Sequence, residues 1–175
     1  TNIGVLSDGT DLTGYSTYRL YVTMPNATDV LSSVSGDLTN PMNISSSTGF
    51  YQNSLGSWSP GGFSSTLTAT FPAIEYDSWV TIGIDKKASE TPDVLDVDVD
   101  SVNSPNQNWQ NPFESGSDIV MNDSVGGAWY VLNDGSTNGI AGAEGRVLVG
   151  QFTTQGDLSG QLYCQIFPEG DGAVD

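Results

Sequence analysis

The chain reads as short stretches of alternating apolar and polar residues, separated by clusters of Gly, Pro, Ser, Thr and Asn. Alternation at i, i+2 puts one set of side chains on each face of a strand, whereas an amphipathic helix needs apolar residues at i, i+3 and i+4. Helical periodicity is scarce. Residues 18–23 (YRLYVT) alternate, with Leu20 and Val22 on one face and Arg19 and Tyr21 on the other, and Met24-Pro25-Asn26 ends the run. Residues 30–34 form a weaker strand, and Asn40-Pro41 turns the chain into another at 42–44. Residues 79–85 (WVTIGID) predict a strand with Val80, Ile82 and Ile84 on one side and Trp79, Thr81 and Gly83 on the other. Residues 119–121, 128–133, 146–154 and 160–167 supply the remaining strands. The last two join through 154–159, a short hairpin-like connection. Near-continuous apolar character at 128–132 and 147–149 predicts central strands covered on both faces.

About eight to ten short strands with turn-rich connections predict an all-β fold: one antiparallel β-sandwich or jelly-roll-like domain with long loops. Residues 1–17 and 169–175 are expected as terminal arms. A loop rich in Ser, Gly and Asn carries Phe50, Tyr51, Trp58 and Phe63. A loop of that length is expected to pack over the core edge or to form a partner interface.

Composition narrows the chemistry. Of 175 residues none is histidine, one is cysteine (Cys164), and four are basic against 21 acidic, a formal charge of -17. Without histidine the usual proton carrier near neutral pH is missing, and so is the base of a Ser-His-Asp triad. A phosphate binder needs clustered Lys and Arg, yet only Lys86 and Lys87 adjoin, so nucleic acid and anionic membranes are not expected partners. Cys164 alternates with Leu162 and Ile166 and is expected as a small buried hydrophobe.

Several constellations carry candidate chemistry. In PDVLDVDVDS, Asp96, Asp98 and Asp100 would share one strand face, with Val97 and Val99 opposite. Carboxylates so aligned suit calcium, and equally a charged edge that blocks pairing with another sheet. No other cofactor is expected. Asp8 and Asp11 in SDGTDLTG are a weaker cation candidate and first of all a turn signal. Glu75 and Asp77 would share a face if extended, as a glycosidase pair must across its cleft, but in so acidic a chain such a pair arises by chance. Trp58 and Trp109 sit in polar loops where an exposed ring could stack on a glycan.

The ordered phrases YRLYVTMPNATDVLSSVSGD, FPAIEYDSWVTIGID, VGGAWYVLN and GRVLVGQFTTQGDLSGQLYCQIFP resemble a family of β-rich domains in virion structural proteins of marine phages, notably cyanophages, with related phrases in secreted proteins of marine bacteria. The resemblance spans residues 18–168 and carries no catalytic motif. It implies a multicopy, non-enzymatic structural protein on a virion surface (a capsid decoration, fibre or tail component) bound to copies of itself or other virion proteins. The loop with Phe50, Tyr51, Trp58 and Phe63 is then the expected interface. The alternatives are a secreted surface or filament subunit, with or without calcium, and a carbohydrate-binding module.

Overall fold

A computed structural model describes residues 3–133 and 135–171. In chain order the strands are β1 (Gly4–Val5), β2 (Asp11–Leu12), β3 (Ser16–Thr23), β4 (Val30–Gly36), β5 (Met42–Ser46) and β6 (Trp79–Val80). They continue with β7 (Asp100–Val102), β8 (Ile119–Met121), β9 (Gly127–Tyr130), β10 (Arg146–Thr154), β11 (Leu158–Gln161) and β12 (Tyr163–Phe167). Short 3-10 turns fill residues 60–76, and one α-helix, α1 (Gln110–Glu114), lies among the described residues.

Every strand pair is antiparallel. The sheets order as β1-β2, β3-β10-β6, β11-β5-β8 and β12-β4-β9-β7. The all-β, sandwich-like architecture expected from the alternation is the one observed. One core draws on the three larger sheets: Val147, Val149 and Phe152 from β10, Leu31 and Val34 from β4, Met42 and Ile44 from β5, Trp129 from β9. Leu20 and Val22 pack against it from β3, as their alternation requires. Trp129 Nε1 donates to the Thr81 carbonyl (3.1 Å), tying β9 to the segment after β6. β10 lies between β3 and β6 and is covered on both faces as expected, whereas β9, between β4 and β7, is central but not covered on both: Ala128 and Tyr130 are half-buried and Leu132 is exposed.

Three further expectations are corrected. The strand over 79–85 shrinks to Trp79–Val80. Gly83 has φ +79°, and a Cβ there would overlap the Asn138 carbonyl, so the backbone bends where an L side chain would not follow. Trp79, Val80, Thr81 and Ile82 are all buried, so the segment has no solvent face. The connection 154–159 does not close a hairpin: β3 and β6 already occupy both edges of β10, and β11 crosses to β5.

The termini are the third correction. Residues 3–17 fold back onto the body: Leu12 is buried, Tyr15 meets Tyr51 edge-on at 5.9 Å, and Gln155 Nε2 donates to the Thr13 carbonyl (3.1 Å). Glu169 N–H donates to Asp29 Oδ1 (2.9 Å), pinning the start of the other expected arm. That bond, with the Asn26 N–H, holds the Asp29 carboxyl below its ordinary range. Residues 1, 2 and 172–175 of the two arms lie outside the described residues.

Candidate functional site

The strands β11 and β12 follow one another along the same side of the molecule. Leu158 pairs with Ser46 and Gln161 with Asn43, then Tyr163 with Ser35 and Phe167 with Val30. Each strand ends its sheet among the described residues, so Leu158–Gln161 and Tyr163–Phe167 present consecutive free edges, about 13 Å and about 17 Å long at strand rise. Gly160 permits this course, because a Cβ there would overlap the Asn43 carbonyl. A register shift between Gln165 and Ile166 leaves Ser32 as the extra residue of β4 and keeps both Val34 and Leu31 in the core. The Ser32 hydroxyl donates to the Val131 carbonyl (2.9 Å), so the bulged residue is satisfied. From Leu158 to Pro168 there is no charged side chain. Tyr163 is 49% exposed and Ile166 37%. Tyr163 and Gln165, with Ser33 and Ser35, line a shallow hollow of about 570 Å³. Cys164 is half-buried against the core, and burial pushes its thiol up.

The opposite edge of the four-stranded sheet is β7. Of the three aspartates expected along one strand face, only Asp100 lies in it. Asp96 Oδ1 accepts from the Thr137 hydroxyl (3.0 Å), Asp98 Oδ1 from Ala88 N–H (2.7 Å), and Asp100 Oδ1 from Ser101 N–H (2.9 Å). Their carboxylates thus serve three separate neighbours, and no group of three acidic or thiol side chains placed to hold a metal occurs among the described residues. Val99 is buried as expected, but Val97 is 40% exposed because the segment before β7 is turn and coil. Asp8 and Asp11 accept from Thr10 and Thr13 N–H, each two residues on, as turn residues do.

The aromatic loop packs over the core edge, the first of its two expected outcomes, and buried Phe50 is not available to a partner. Phe50 is buried against Phe113 and Phe152, with ring centroids at 5.8 and 5.4 Å. Trp58 meets Trp109 edge-on at 5.8 Å. Tyr51 and Phe63 are half-buried. Trp109 is 1% exposed and donates from Nε1 to the Val102 carbonyl (3.0 Å), so it offers no stacking face to a glycan.

Asp77 anchors that loop. Its side chain is inaccessible, Oδ1 accepts from Asn53 N–H (2.7 Å) and Oδ2 from Ser57 N–H (3.1 Å). Burial pushes its carboxyl up to about 7, against the lowering by the N–H groups of Asn53, Ser57 and Ser78. Glu114 adds to the rise, and its own Oε1 accepts from Trp58 N–H (3.1 Å). Glu75, expected to share a face with Asp77, is instead exposed, because residues 72–76 form a 3-10 turn.

Beside that turn, over Trp79, lies a hollow of about 410 Å³. Arg19, at the outer face of β3, reaches over the Trp79 ring at 5.9 Å. Its Nη1 donates to Asp85 Oδ2 (2.9 Å) and its Nε to Gln151 Oε1 (3.2 Å). The Gln151 amide, buried, donates to the Glu75 and Asp77 carbonyls, both at 2.9 Å. Lys86 and Glu75 also line the hollow. Composition hid this group, since Arg19, Glu75, Asp85 and Gln151 are far apart in sequence and none sits in a motif. The uncharged run 158–168 does not stand out in the sequence, where residues 38–74 form a longer one; its place at a strand edge is what marks it.

No helix among the described residues is long and apolar enough to cross a membrane. The chain matches no family model, no curated protein and no solved structure.

Proposed function

We propose that this protein is a non-enzymatic structural module of a marine phage virion surface, and that it assembles by pairing its β11–β12 edge with the same edge of a second copy. The observation that carries the reading is that edge: long, free on one side, partly apolar and uncharged in a chain of net charge -17. A free strand edge offers unpaired N–H and C=O groups to another strand, and soluble proteins ordinarily blunt such edges with charge. Two copies repel wherever acids face acids, so an uncharged strip is where they approach at least cost. Antiparallel pairing of the edge with itself is two-fold symmetric and closes a dimer. The resemblance of residues 18–168 to virion domains supports placing that dimer on a particle.

The test is sedimentation of the wild type beside the double variant Tyr163→Asp, Gln165→Glu, with melting temperature as a control for folding. Wild type forms a dimer, and the variant is monomeric with its dissociation constant raised at least about tenfold, or ~1.4 kcal/mol. A wild-type monomer at about 100 μM, or a variant that dimerises equally well, overturns the assembly reading. Immunogold labelling of phage particles addresses location: label on cellular filaments with none on particles sinks the virion assignment.

A further inference from the structure

We infer that the hollow over Trp79 binds a neutral hexose unit of a polysaccharide. It uses none of the groups on the β11–β12 edge, so it stands or falls independently of the assembly reading. The lining carries two cations, Arg19 and Lys86, and two carboxylates, Glu75 and Asp85, for a formal charge of zero. A phosphate or uronate entering it would meet both carboxylates as well as both cations, so the lining gives an anion no net attraction while the field of a protein at -17 opposes it. A hydroxyl, in contrast, both donates and accepts. Two vicinal hydroxyls can therefore span Asp85 and Arg19, one donating to the carboxylate and the other accepting from the guanidinium.

The recognition groups are ordered before any ligand arrives. Arg19 is held on three sides, by Asp85, by buried Gln151 and by the Trp79 ring. Gln151 is in turn fixed by two backbone carbonyls, so the guanidinium loses little freedom on binding. Arg19 Nη2 and the Lys86 ammonium have no hydrogen-bond or ion-pair partner among the described residues, and Asp85 is 41% exposed at its side chain. Half-buried Phe63 and Tyr76 add aromatic wall for the C–H face of a sugar ring. A hollow of about 410 Å³ lies within the range of small-molecule sites. The site replaces Trp58 and Trp109 as the place where a glycan can reach the surface.

Calorimetric titration with cellotriose, laminaritriose and mannotriose, with trigalacturonate as the charged comparator, tests the inference. At least one neutral trisaccharide binds with Kd below about 1 mM, and trigalacturonate binds at least about tenfold more weakly. Asp85→Asn weakens the neutral ligand at least about tenfold, and Lys86→Ala weakens it less. Should Asp85→Asn melt early, Thr68→Tyr, which fills the hollow from its wall, abolishes binding while leaving the melting temperature in place. No neutral trisaccharide bound at about 10 mM, tighter binding of trigalacturonate, or full affinity in Thr68→Tyr overturns it.

Discussion

The four-stranded sheet has two free edges, built from opposite chemistry. At β7 the edge is three residues long, begins with Asp100, and is approached by a segment carrying Asp93, Asp96 and Asp98. At β12 it is five residues long, continues into β11, and has no charge from Leu158 to Pro168. Exposed apolar side chains occur at both: Val97 and Val102 near β7, Tyr163 and Ile166 on β12. Apolar exposure therefore does not separate the edges. Charge and length do, and those are the features that prevent or permit strand addition. A chain with 21 acids has placed them so that one edge is guarded and the other left bare.

The buried anchor of the aromatic loop, Asp77, carries the largest expected effect. Asp77 is raised to about 7 in the fold from an ordinary 3.8, so the folded state binds its proton more tightly than the unfolded chain. Its contribution is fully present below about pH 4 and is lost as pH rises through about 7, a change of order a few kcal/mol. Wild-type melting temperature should fall between about pH 5 and pH 8, while Asp77→Asn flattens that slope. Equal slopes in calorimetric melts would place the pH dependence elsewhere. The carboxyls held low, among them Asp29 and Glu90, lose their contribution only as pH falls below the ordinary carboxylate range, so this window isolates Asp77.

Removing the guard comes next. Asp96→Asn, Asp98→Asn and Asp100→Ser together keep an acceptor at each position and remove three charges. With both edges bare, closed dimers should give way to open chains, seen as a scattering mass that rises with concentration where wild type reaches a plateau. A plateau unchanged by the triple variant would mean that length alone protects β7. The smallest effect is salt. Raising ionic strength from about 0.01 M to about 0.15 M shortens the screening length from about 30 Å to about 8 Å. Wild-type association should strengthen severalfold by sedimentation, since the repulsion is spread over the whole surface. Weakening instead would show that ion pairs, and not a bare edge, hold the copies together.

Long strands were legible. β10 follows its apolar run because both faces are buried from Val147 to Thr154, and β3 follows its alternation because Leu20 and Val22 pack on the core while Arg19 faces out. The segment after Trp79 was not, because both of its faces are buried and Gly83 bends the chain against the Asn138 carbonyl. The partner of β11 was not legible either: whether 154–159 closes a hairpin depends on what already flanks β10, and β3 and β6 come from elsewhere in the chain. Trp58 and Trp109 sit among polar neighbours in sequence, yet they find each other in space, so a polar loop did not mean an exposed ring. The aspartates of 96–100 were read as one array, and each was claimed by a different local donor.

What the sequence determined by itself is the class of protein: all-β, acidic and without histidine. These follow from alternation and composition, which are local. Tertiary structure decided that uncharged residues 158–167 lie at strand edges, which carboxylate is buried enough to be raised to about 7, and which groups surround Arg19. Those outcomes rest on partners distant in sequence, as Arg19 with Asp85 and Gln151 shows. Burial and the fields that go with it belong to the assembled core, so they arise only when the sheets come together.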